Sequence, residues 1–69
     1  MKRGLTIKQK ERFDFIKEYI AKNGYAPTLK EIAEEFKTTN SAVYYILDAL
    51  VKKEWIKREK YAERDIVII

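Results

Sequence analysis

A mainly α-helical domain that closes on a small β-hairpin is the fold class this sequence predicts, and three observations predict it. Helix-start chemistry recurs ahead of apolar residues spaced at three and four: Thr6 with Gln9, Thr28 with Glu31, and Thr39. Turn chemistry separates these runs, with Asn23-Gly24, Pro27 and the polar stretch Lys37 to Asn40. Beyond Lys53 the helical period gives way to Trp55-Ile56 and the tail Ile66-Val67-Ile68-Ile69, which suit two short strands around a polar loop. The helices are predicted over about 7–23, 29–36 and 40–53 and the hairpin over about 55–69, in one domain spanning 1–69.

The first helix starts after Thr6, whose spacing to Gln9 is that of a capping box. Phe13, Ile16 and Ile20 form its apolar side, widened by Phe15 and Tyr19, while Lys10, Glu11, Asp14, Lys17 and Glu18 face water. Gly24 ends it, and Pro27 disfavours helix at Ala26, so the connection is extended. The short basic start, Met1 to Leu5, reads either as a frayed terminus or as an arm reaching phosphates. Thr28 and Glu31 box the second helix, whose stripe is Ile32, Ala33 and Phe36. Thr39 caps the third, where Val43, Ile46, Leu47, Leu50 and Val51 fall on one side and Ser41, Tyr44, Tyr45, Asp48 and Lys52 on the other. The final Ile66 to Ile69 run is apolar on both faces, consistent with burial against the first helix or with an edge strand that pairs with another chain.

Composition limits what such a domain does. A chain of 69 residues buries only about 60% of its unfolded surface, which leaves no room for an active-site cleft. Fifteen Lys and Arg against eleven Asp and Glu give a net charge of +4, which permits attraction to a polyanion. Cysteine and histidine are absent, so neither a disulfide nor a zinc site is expected. Glu31, Glu34 and Glu35 on one short helix read as a solvated face, not as an acid/base pair, and no cofactor, small-molecule ligand or enzymatic activity is expected. No apolar run reaches the length of a membrane span or signal peptide, and an intracellular, cytoplasmic protein is expected.

The segment from Thr28 to Lys53 resembles the helix-turn-helix of DNA-binding proteins. Counting from Leu29, that pattern asks for a small residue fifth, apolar residues fourth, eighth, fifteenth and eighteenth, and commonly Gly ninth. Ala33, Ile32, Phe36, Val43 and Ile46 comply, and Lys37 stands at the ninth position. A left-handed backbone there costs a non-Gly residue roughly 1 kcal/mol. An ordinary helical hairpin is the plain alternative for this segment alone. The resemblance sharpens in GYAPTLKEIAEEF, which looks like the G-Y-x-P-T-x-x-E-I-A segment of LexA-type repressors. LTIKQKERFDFIKEYI before it and SAVYYILDALVKKEWIKR after it are similar to the same family. The implied fold is a three-helix winged helix-turn-helix. This sequence departs from the family in three places. The inter-helix turn is one residue shorter and carries Lys37-Thr38 for the usual Gly-Phe. Gly is missing where Glu54 stands and at the wing tip. LexA-type repressors also continue into a self-cleaving protease domain, which this sequence is expected to lack.

The resemblance implies sequence-specific binding of double-stranded DNA with the third helix in the major groove, as a transcriptional regulator or repressor. By position it assigns base contacts to Thr39, Asn40, Ser41, Ala42, Tyr44 and Tyr45. Asn bonds adenine bidentately, and Ala42 suits a thymine methyl. The tyrosines suit thymine methyls or phosphates, or simply pack on the helix surface. Asp48 on this face is repelled by phosphate unless it lies beyond the groove edge. Phosphate contacts are expected from Thr28 at a helix start and from Lys30, Lys37, Lys52, Lys57, Arg58, Lys60 and Arg64, although any one lysine is often just a solvated charge. A homodimer on a two-fold operator is expected, because one helix reads few base pairs. The alternative is a winged-helix module that binds protein through Tyr44, Tyr45 and Trp55.

Overall fold

The computed structural model describes residues 4–58 and 64–69. Within them α1 (Ile7–Asn23), α2 (Leu29–Glu35) and α3 (Asn40–Lys52) precede β1 (Ile56–Arg58) and β2 (Ile66–Ile68). The strands pair antiparallel, with Ile56 opposite Ile68, Lys57 opposite Val67 and Arg58 opposite Ile66. Three helices followed by a two-stranded hairpin are the winged helix-turn-helix expected from the sequence.

Helix starts follow the capping residues. Thr6 and Thr28 each close a complete capping box, with Gln9 and Glu31 returning a side-chain oxygen to the backbone N–H of the capping threonine. Thr39 caps α3 by accepting from the Ala42 N–H at 3.1 Å.

Helix ends are set by left-handed residues. Gly24 ends α1 at φ 81°, its N–H bonded to the Ile20 carbonyl. The other two ends follow a common plan. After α2, the Thr38 N–H reaches the Ala33 carbonyl at 2.9 Å and Lys37 sits at φ 52°. After α3, the Trp55 N–H reaches the Leu50 carbonyl at 3.0 Å and Glu54 sits at φ 66°. Both are Schellman-type ends built without glycine. Because the chain turns left-handed immediately after Phe36 and Lys53, these two residues cap their helices and are not the last helical residues, which places each helix end one residue earlier than expected.

The core is small and apolar. Ile16, Ile32, Leu47, Leu50 and Ile56 are essentially inaccessible, one or two from each helix and one from the hairpin. Ala33 of α2 is buried in the same cluster. Phe13 meets Trp55 edge-on at 5.2 Å, joining α1 to the start of the hairpin. In β2 the side chains alternate. Ile66 is buried and Ile68 packs against the core, while Val67 and Ile69 remain about half exposed. Among the described residues no helix is long and apolar enough to cross a membrane.

Candidate nucleic-acid interface

Burial divides α3 lengthwise. Val43, Leu47 and Leu50 fill the core, and Asn40, Ser41, Tyr44 and Tyr45 are exposed, as the helical period of this segment requires. Tyr45 is 71% exposed and Tyr44 39%, and their rings meet edge-on at 5.8 Å. Ala42 is half-buried on the flank of this face, and Thr39 uses its hydroxyl oxygen in the cap while staying exposed. Asp48, the acid on this face, is paired with Lys52 one turn on, at 3.2 Å. The six expected base-contacting residues therefore lie together on the start and outer side of one helix.

Of the expected phosphate contacts, Lys30, Lys37, Lys52 and Lys57 are exposed on four different parts of the surface. Thr28 is half-buried, with its hydroxyl and N–H both engaged by Glu31. Lys60 and the basic residues Lys2 and Arg3 of the possible N-terminal arm lie outside the described residues.

Arg58 and Arg64, also expected at phosphates, both engage their guanidinium groups within the fold. The Arg58 side chain is 6% exposed and pairs with Asp65, itself 9% exposed, with Nε donating to Oδ1 at 3.2 Å at the loop-side end of the strand pair. Withdrawing it to a phosphate would strand a buried carboxylate. Arg64 donates to both oxygens of Glu31 at 2.9 and 3.1 Å, to the Ala26 carbonyl at 2.9 Å and to the Tyr19 hydroxyl at 3.3 Å, and its guanidinium stacks 4.6 Å from the Tyr25 ring centre. Hydrogen bonds from Arg64 and from the Thr28 backbone hold the Glu31 carboxyl at about 2, well below the usual range. The same pairing raises Arg64 above its ordinary value.

An open cleft of about 360 Å³ runs between the start of α2, the start of α3 and the hairpin, bordered by Thr28, Lys30, Asn40, Arg58, Arg64 and Asp65. One oxygen of Asp65, Oδ2, is buried without a hydrogen-bond partner among the described residues.

Sequence reasoning missed Glu31, Tyr19 and Asp65 as partners of the wing arginines. Each pair joins segments that no local periodicity connects. Trp55, an expected anchor of the protein-binding alternative, is packed on Phe13 and borders a groove with Gly4 and Leu5 that includes neither tyrosine of α3.

Comparison with known proteins matches the LexA DNA binding domain family over residues 2–65. The chain is 42% identical over 65 residues to a LexA repressor of Thermosipho melanesiensis, covering 94% of this chain and 33% of that protein. It is 41% identical over 64 residues to a LexA repressor of Thermotoga maritima, covering 93% and 32%. A LexA repressor of Herpetosiphon aurantiacus is 40% identical over 67 residues, covering 96% and 31%. The chain thus spans about a third of the length of the curated relatives it matches.

Proposed function

The chain belongs to the LexA DNA-binding domain family, and from that premise we propose that it recognises a specific double-stranded operator and represses transcription from it. In this reading α3 enters the major groove, with Asn40, Ser41, Tyr44 and Tyr45 meeting base edges, Ala42 at a thymine methyl and Thr39 at the groove edge. Lys30, Lys37, Lys52, Lys57 and Lys60 neutralise phosphates.

The observation that carries the reading is the exposed tyrosine pair on a helix whose other side buries Val43, Leu47 and Leu50. Tyr45 is 71% and Tyr44 39% exposed, and the two rings meet edge-on, which sets an aromatic surface on the solvent side of the helix. Two copies on a two-fold site would supply the specificity that one helix lacks. Such a repressor would act in the cytoplasm, excluding polymerase from the promoter it occupies.

The test is an unbiased selection from random duplexes, followed by titration of the selected sequence at several salt concentrations. A consensus with two inverted half-sites and steep loss of affinity with salt is expected. Enrichment of no sequence, with affinity insensitive to salt, would overturn the reading.

A further inference from the structure

The two capping boxes of this protein use different closing residues. At α1 the closing residue is Gln9, whose Oε1 accepts from the Thr6 N–H at 3.1 Å. At α2 it is Glu31, accepting from the Thr28 N–H at 2.8 Å. An amide oxygen therefore suffices for capping in this fold, and the charge at position 31 is spent elsewhere. It is spent on Arg64, 33 positions away, through two parallel hydrogen bonds.

Arg64 stands where the chain re-enters the hairpin ahead of β2, at φ 57°, a left-handed backbone that a glycine would hold without strain. The side chain explains the choice of residue. Its guanidinium gathers the last turns of α1 through Tyr19, the α1–α2 connection through Ala26 and Tyr25, and the start of α2 through Glu31. Where the strands lead into the connecting loop, Arg58 and Asp65 tie β1 to the residue that follows Arg64. The loop-side end of the strand pair is thereby fastened to the helix pair by Arg64 and closed on itself by Arg58 and Asp65. Lys57 rides on this unit as an exposed residue of β1.

We propose that Glu31 is a positioning residue for DNA binding: by holding Arg64 it fixes the β1–β2 strand pair, and with it Lys57, at the height where both α3 and β1 reach the same duplex. Glu31 itself touches no DNA. This inference rests on the reading under Proposed function.

The experiment titrates a random-sequence duplex with the full chain and with Glu31→Gln, Lys57→Ala and the double variant, at several salt concentrations. The Gln variant keeps the acceptor for the cap, as Gln9 does at α1. Wild type is expected to lose affinity on Lys57→Ala and to show a salt slope lower by about 0.9 for the lost phosphate contact. In the Glu31→Gln background the Lys57→Ala change is expected to cost little further, with the slope already reduced. An equal Lys57→Ala loss in both backgrounds, or none in either, overturns the inference while leaving the proposed function standing. Absence of duplex binding by wild type overturns both. Should Glu31→Gln fail to fold, Arg64→Gln replaces it, with the same coupling to Lys57 expected and the same independence contradicting the inference.

Discussion

Glu31 and Arg64 meet through two parallel hydrogen bonds of 2.9 and 3.1 Å while the same carboxylate accepts the Thr28 N–H. One side chain thus completes a helix start and joins that helix to the wing. Its ionised form is favoured by the fold, with the carboxyl lowered from 4.5 to about 2. A carboxyl more acidic in the folded than in the unfolded chain contributes stability above its unfolded value and loses it as pH falls. Thermal unfolding followed against pH should show a contribution that is complete above about 4.5 and fades towards 2. Glu31→Gln is expected to melt lower at neutral pH and to flatten that acid limb. The same acid limb in both proteins would refute this assignment.

Lys37 carries an affordable strain. It holds the left-handed position of the α2 end at φ 52°, with its side chain exposed. Lys37→Gly should therefore stabilise the fold by about 1 kcal/mol, since glycine has no Cβ to crowd there. The same change should weaken duplex binding and shallow its salt dependence, because it deletes a cation expected at a phosphate. Chemical denaturation and duplex titration on one sample check both halves, which move in opposite directions.

Much of the fold was legible because it is written locally. Thr6-Gln9 and Thr28-Glu31 announce two helix starts at fixed spacing, and Lys37 and Glu54 stand where the family often has glycine and do adopt left-handed backbone. The exposed row on α3 follows from the 3.6-residue period alone. What sequence did not disclose is how the wing is held. Arg58 and Arg64 sit in a polar run and read as free cations, whereas Asp65 and Glu31 engage them through tertiary contact. The family pattern at position 31 marks a helix start, and nothing local signals that its charge also has a distant partner.

The Arg58–Asp65 pair supplies a stability test that separates a structural role from a phosphate contact. Both side chains are more than nine-tenths buried. Arg58→Ala leaves the Asp65 carboxylate without its counter-charge and is expected to cost about 3–5 kcal/mol in urea denaturation. A phosphate-binding surface arginine would cost almost nothing. Replacing both partners with apolar residues of similar volume should recover most of the loss.

Leu47 and Tyr45 lie two residues apart on α3 with opposite surroundings, fully buried and 71% exposed. Leu47→Ala should destabilise the domain by about 2–5 kcal/mol, the range for emptying an aliphatic core position. Tyr45→Ala should change stability by no more than about 0.5 kcal/mol. Unfolding free energies of the two variants provide the check. A large loss for Tyr45→Ala would mean that its ring is part of the packing and not held out for a partner.

The most direct measurement is binding-site selection repeated with Tyr44 and Tyr45 both changed to Ala. If the outer side of α3 reads bases, wild type enriches a defined consensus, and the double variant loses preference at the positions those rings contact while keeping salt-dependent affinity for any duplex. An identical consensus from both proteins would show that recognition lies elsewhere and would contradict the account.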